Sequence, residues 1–153
     1  MIEFKVNYPE VGKTYMKRIG AYALISNEKN LLAIVKTSTG YFLPGGGVKE
    51  NETFENCLQR ECIEEIGFKI RILNDIACGN YYFYSTTLNT DMESIGYFYE
   101  CKILEKFNSN TEDDHLLVWL DPKDAVKSLY LKNQQEAVKL LLLQHKKTSY
   151  NSE

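Results

Sequence analysis

Six glutamates fall between positions 50 and 65: Glu50, Glu52, Glu55, Glu61, Glu64 and Glu65, with Arg60 the one basic residue among them. This segment carries a net charge of −5, while the 153-residue chain as a whole carries −3. Residues 54–66 read as a helix, with Thr53 as a plausible N-cap and Gly67 as a C′ stop. At about 100° per residue, Glu61, Glu64 and Glu65 fall on one arc of roughly 100°, and that arc overlaps the apolar side. Asn56, Gln59, Arg60 and Ile63 occupy the opposite side. Like charges at these spacings repel, and crowding them at a core edge disfavours their charged forms. Arg60 reaches Glu64 at i+4, but one arginine does not neutralise three carboxylates. A divalent cation does, and Mg²⁺ and Mn²⁺ take oxygen ligands. Gly45-Gly46-Gly47 upstream would let backbone groups approach such a site closely. The wheel alone leaves two readings open, an acidic surface helix and a metal site.

Other elements must position this helix. Residues 20–26 and 31–37 are apolar and rich in β-formers, with a polar NEKN between them, and predict a hairpin. Tyr41–Leu43 is a short strand stopped by Pro44, followed by the triple-glycine loop. Residues 68–86 read as strand, Leu88–Glu93 as a polar loop, and Gly96–Ile103 as another strand. A polar, acidic loop over Asn108–Asp114 leads into the strand Leu116–Leu120. Asp121-Pro122 opens a short helix to about Leu129. The last helix is expected near Asn133, with Glu136 completing a capping box. Its four leucines, Leu140–Leu143, cover every face of a turn, which implies burial in the core or against a second subunit, a possible homodimer. The interleaved elements predict one α/β (α+β) domain over residues 1–146, with 147–153 a flexible C-terminal tail.

Composition excludes several classes. Hydrophobic residues make up 44% of the chain, too many for a disordered protein. No apolar run is long enough to span a bilayer. Charges and Pro9 interrupt the N-terminus where a signal peptide needs an apolar core, so a cytoplasmic protein is expected. The acidic balance, without a basic block, argues against a nucleic-acid partner. Cys57, Cys62, Cys78 and Cys101 form no CxxC pair, and with only two histidines a zinc site is not indicated. Reduced, mostly buried thiols are expected.

Residues 46–68, GGVKENETFENCLQRECIEEIGF, resemble the signature box of the Nudix hydrolases (MutT-like). Gly46, Glu52, Arg60, Glu61, Glu64, Glu65 and Gly67 fall in register with it. Cys62 and Phe68 stand where the family has an aliphatic residue. The resemblance implies an α/β/α sandwich with a mixed β-sheet, the box forming a loop–helix–loop. It implies Glu61, Glu64 and Glu65 as ligands of Mg²⁺ (or Mn²⁺), the Gly45 carbonyl as a further ligand, and Glu61 or a loop carboxylate as base. Arg60 would orient the carboxylates and Glu52 would brace the loop through Arg60. The implied activity is hydrolysis of a nucleoside diphosphate linked to another moiety, including (oxidised) nucleoside triphosphates, to a monophosphate and a phosphorylated remainder. A dinucleoside polyphosphate or nucleotide-sugar hydrolase is the alternative. A non-catalytic nucleotide sensor stands further off, because the box is intact.

The physics agrees, since bound divalent ions invert the sign of an acidic site for an anionic nucleotide. Beyond the box, Glu112 is the first choice for an extra loop carboxylate, and His115 could contact substrate. Half of the aromatics in Tyr81–Tyr84 and Tyr97–Tyr99 should face the core; Tyr82 and Tyr84 are candidates to line a nucleotide pocket. Trp119 is expected in the core. A Pro that marks many ADP-ribose hydrolases is absent from this region, because the chain has only Pro9, Pro44 and Pro122.

Overall fold

The computed structural model describes residues 1–107 and 111–151, without the side chains of 149–151. In chain order its elements are β1 (Ile2–Lys5), β2 (Met16–Ile25), β3 (Leu32–Lys36), β4 (Tyr41–Phe42), β5 (Gly45–Gly47) and α1 (Phe54–Ile66). Then come β6 (Phe68–Ser85), β7 (Thr90–Lys106), β8 (Leu116–Leu120), α2 (Pro122–Ser128) and α3 (Lys132–Asn151). A five-stranded sheet runs β1-β6-β7-β2-β5 and a three-stranded sheet runs β4-β3-β8. The larger sheet is mixed: β1 with β6 and β2 with β7 are parallel, while β6–β7 and β2–β5 are antiparallel.

Strand alternation on β2 and β3 divides the core. Ala21, Ala23, Ile25, Ala33 and Val35 point to one side, where they pack on Cys57, Leu58, Cys62 and Ile66 of α1. Tyr22, Leu24, Leu32 and Ile34 point to the other, against Ala125 of α2 and Ala137, Val138 and Leu141 of α3. Helices thus cover both sides of the sheets, because strands apolar on both faces must be buried on both. Cys57, Cys62 and Cys101 are buried free thiols, and Cys78 is half-buried.

Several expectations change. The first two of these strands do not form a simple hairpin, because β2 and β3 belong to different sheets and meet at a Ser26–Leu32 bridge. Asn27 makes this turn: its Oδ1 accepts from the amides of Lys29 and Leu31, both at 3.0 Å, with Asn30 at φ 62°. The triple glycine is a strand rather than a free loop, paired with Gly20–Tyr22 of β2. The loop expected over Leu88–Glu93 shrinks, since β7 already begins at Thr90 and pairs with Ser85. Cross-strand pairing here outweighs the polar composition.

Asn133 does not cap α3, which starts at Lys132. Its buried side chain donates instead to Gly79 O and Ser94 Oγ of the large sheet, at 3.3 and 3.2 Å. Glu136 pairs with Lys139 rather than closing a box. Helical backbone also continues past Lys146 to Asn151, since no Gly or Pro interrupts it; residues 152–153 lie outside the described residues. Of the four leucines, Leu141 is buried, Leu140 and Leu142 pack at the core edge, and Leu143 is exposed. Trp119 is only half-buried at the edge of the α1-side core. No helix among the described residues is long and apolar enough to cross a membrane.

Candidate functional site

The site forms where β5 meets α1. Thr53 caps the helix by accepting from Asn56 N, and Gly67 ends it at φ 76° with its amide shared by the Cys62 and Ile63 carbonyls. Both ends fall where the sequence places them. Helix α1 is held at close range because glycines line its strand partner. A Cβ on Gly46 would lie 2.6 Å from Glu61 Oε1, so the absence of a side chain makes room for that carboxylate.

Arg60 does not stay on the far side of the helix. Its guanidinium reaches round to Glu52, with Nε to Oε2 at 2.8 Å and Nη2 to Oε1 at 3.0 Å. Nη1 contacts Glu61 at 2.8 Å and Glu64 at 3.4 Å, and Nη2 donates to Gly47 O at 3.2 Å. Wheel angles describe where a side chain leaves the helix; a long arginine crosses that arc. Hydrogen bonds from Arg60, and then from the Lys49 amide, hold the Glu52 carboxyl down to about 2. The loop before α1 is thereby clamped to the helix by a forked ion pair.

Glu65 is the most buried carboxylate, 8% exposed. Its Oε1 accepts the Gly45 amide at 2.8 Å, so the Gly45 group that meets the site carboxylate here is the N–H. Burial, then the charges of Glu61, Glu112 and Glu64, push its carboxyl up to about 8, against the opposing pull of the Gly45 hydrogen bond. Burial also raises Glu61, opposed by Arg60.

The loop after β7 brings further groups. The Glu112 amide donates to the Glu64 carbonyl at 2.9 Å, satisfying one of the orphan carbonyls in the last turn of α1. Asp114, at φ 68°, anchors the other end by accepting from Ser38 N and Ser38 Oγ. His115 is thereby set between carboxylates, with Nε2 3.4 Å from Glu65 and Nδ1 3.5 Å from Glu112. Glu112 and His115 therefore join the glutamates, although they lie about 50 residues away in sequence.

Tyr82 and Tyr84 do not. Tyr82 packs edge-on against Tyr15 and its hydroxyl donates to Glu93; Tyr84 is half-exposed and bonds Asn89. Neither touches a site glutamate. Tyr81 and Phe83 stack on each other on the opposite sheet face, while Tyr97 and Tyr99 pack on Phe54 of α1.

Beside Glu65 opens a cavity of about 190 Å³ whose lining includes Arg18, Tyr22, Phe42, His115 and Gln134. Sequence reasoning misses Arg18 and Gln134. A polar residue facing an apolar neighbour in α3, and a cation leading an apolar strand, are the faint signals they leave.

The NUDIX domain family model matches residues 16–147. Among solved structures the chain resembles a NUDIX hydrolase from Nitrosomonas europaea, with TM-score 0.69, 11% identity, and coverage of 84% of this chain and 90% of that one. It also resembles a MutT protein from Methanosarcina mazei, with TM-score 0.68, 20% identity and coverage of 86% and 97%. An ADP-ribose pyrophosphatase from Streptococcus suis gives TM-score 0.64 at 20% identity, covering 84% and 91%. No curated protein sequence matches the chain.

Proposed function

Because the chain belongs to the Nudix family, we propose that it is a Mg²⁺- or Mn²⁺-dependent pyrophosphohydrolase of nucleoside diphosphate derivatives. It would cleave the diphosphate of a nucleotide, nucleoside triphosphates included, to a monophosphate and a phosphorylated remainder. The observation that carries this reading is the convergence of Glu61, Glu64 and Glu65 with Glu112, with the Arg60 guanidinium and the His115 ring set among them.

The donor set fits a hard divalent cation. All four acids offer oxygen, and burial first, then their neighbours' charge, raises Glu61 and Glu65. As the side chains stand, no group of three His, Cys, Asp or Glu is arranged to hold a metal among the described residues. The carboxylates are turned instead to Arg60, His115 and the Gly45 amide. Glu61, Glu64 and Glu65, with the Gly45 backbone alongside, are the groups that would hold the ion. When bound, such an ion supplies an acidified water and charge neutralisation at the phosphoryl oxygens.

The chain's own groups do the rest. Arg60 fixes Glu61 and the Glu52 loop. The Gly45 amide orients Glu65. Glu61 or Glu112, the latter tied to the end of α1 through its backbone, would take a proton from an attacking water. A nucleotide-sugar substrate is the second reading, favoured by the resemblance to an ADP-ribose pyrophosphatase and to a UDP-X diphosphatase.

The test is a product assay on nucleoside triphosphates, dinucleoside polyphosphates and nucleotide sugars, with Mg²⁺ and with chelator. Monophosphate release that requires the metal is expected; no metal-dependent turnover on any of them would refute the reading. Gly46→Ala gives a finer result. Its Cβ meets the flexible end of Glu61, so stability should change little, while turnover falls about tenfold as Glu61 is displaced. Thermal melts beside initial rates separate the two effects.

A further inference from the structure

The cavity beside Glu65 is walled by Arg18, Tyr22, Phe42 and Gln134. Gln134 is 1% exposed. Its Oε1 accepts the Leu43 amide at 2.8 Å, and its buried Nε2 has no hydrogen-bond partner. Flipping the amide would set NH₂ against the Leu43 N–H, donor against donor, so Nε2 is fixed as a donor. A buried donor without a partner is costly and calls for an acceptor.

Arg18 leads the same strand as Tyr22. Its guanidinium lies over Gly47, with Nε 3.3 Å and Nη2 3.6 Å from where a Cβ would stand. The site carboxylates are taken by Arg60 and His115, leaving Arg18 outside their ion pairs. Thr37 donates its hydroxyl to Gly40 O, and Glu65 already receives the Gly45 amide. Arg18 and the Gln134 Nε2 thus bring two donors to this wall.

We propose that Arg18 and Gln134 determine specificity by binding an acceptor-rich part of the substrate, an oxo nucleobase or an outer phosphoryl group. Both sources offer adjacent oxygen or ring-nitrogen acceptors that a guanidinium and a fixed amide N–H can share. Adenine and cytosine carry an amino group where guanine and uracil carry an oxo group and would set donor against donor there, and a site built for hydrogen bonds rejects such analogues strongly. The inference rests on the nucleotide reading above.

Calorimetric titration with uncleavable α,β-methylene analogues of GTP, UTP, ATP and CTP, in Mg²⁺, tests it on the wild-type protein, Arg18→Gln and Gln134→Leu. A base in the pocket makes the GTP and UTP analogues bind about tenfold tighter than the others. Gln134→Leu then removes the preference, and Arg18→Gln weakens the favoured pair about tenfold. A phosphoryl group in the pocket makes all four bind alike and weaken together in Arg18→Gln. Wild-type affinities retained in both variants would overturn the inference, as would no binding of any analogue by the wild-type protein. Gln134→Leu strips the Leu43 amide of its acceptor; if it does not fold, exposed Arg18 decides alone. Binding of uncleavable analogues is independent of turnover, so absent hydrolysis refutes the enzyme reading, and unchanged variant affinities refute this one.

Discussion

Glu65→Gln should lower turnover by about a hundredfold or more while making the metal-free protein more stable at pH 8. The two effects share one cause. Glu65 is almost fully buried, and its carboxyl is raised from 4.5 to about 8 by burial and by its neighbours' charge. The folded protein therefore keeps a proton that the unfolded chain releases above pH 4.5. Wild-type stability should be full below that value, fall as pH rises, and level off above about 8. The penalty is on the order of a few kcal/mol. Glutamine still accepts the Gly45 amide through its Oε1 but never ionises, so the variant's profile should be flatter over this window. Denaturant midpoints at pH 5 and pH 8, in chelator, check this. Equal slopes in both proteins would show that Glu65 ionises freely. Mg²⁺ should raise the wild-type midpoint at pH 8 far more than the variant's, because a ligand for the native state alone stabilises it by mass action.

Arg60→Met should be the most damaging single change to the site's architecture. It keeps most of the aliphatic stem but removes the fork that holds Glu52 at 2.8 and 3.0 Å and Glu61 at 2.8 Å. Breaking one partner of a shielded ion pair strands the other as an uncompensated charge. Tm should fall by several degrees, and turnover by about 10–100-fold, the usual cost of losing a group that orients a ligand. Glu52→Gln, which still offers Arg60 an oxygen, should be milder on both measures. A melt and a rate measurement on each variant make the comparison. Equal damage from both would mean that the Glu52 charge, rather than the Arg60 fork, holds the loop.

The helix was legible from sequence because its information is local. Thr53, Gly67 and the spacing of Glu61, Glu64 and Glu65 act within a few turns of one another. Arg60 was legible in role but not in place, since a wheel records only where a side chain departs. Glu112 and His115 were legible as chemistry, but their arrival depends on two long-range links, Glu112 N to Glu64 O and Asp114 to Ser38. Tyr82 and Tyr84 lie apart from the site glutamates, and a rich run of aromatics satisfies almost any pocket pattern. The structure spends these two on Tyr15, Glu93 and Asn89.

The −5 segment and its register determine, without any coordinates, that three carboxylates share one helix face downstream of a triple glycine, and the box they form carries the family. Tertiary structure alone decides what surrounds them. β2 and β3 lie in different sheets, Asn133 bonds across to the large sheet instead of capping its helix, and Arg18 and Gln134 meet across one cavity. Local order follows from short-range hydrogen bonds and dihedral preferences, which residue spacing encodes directly. Which strand lies next to which depends on the joint burial of both sheet faces, a property of the whole chain that no single segment carries.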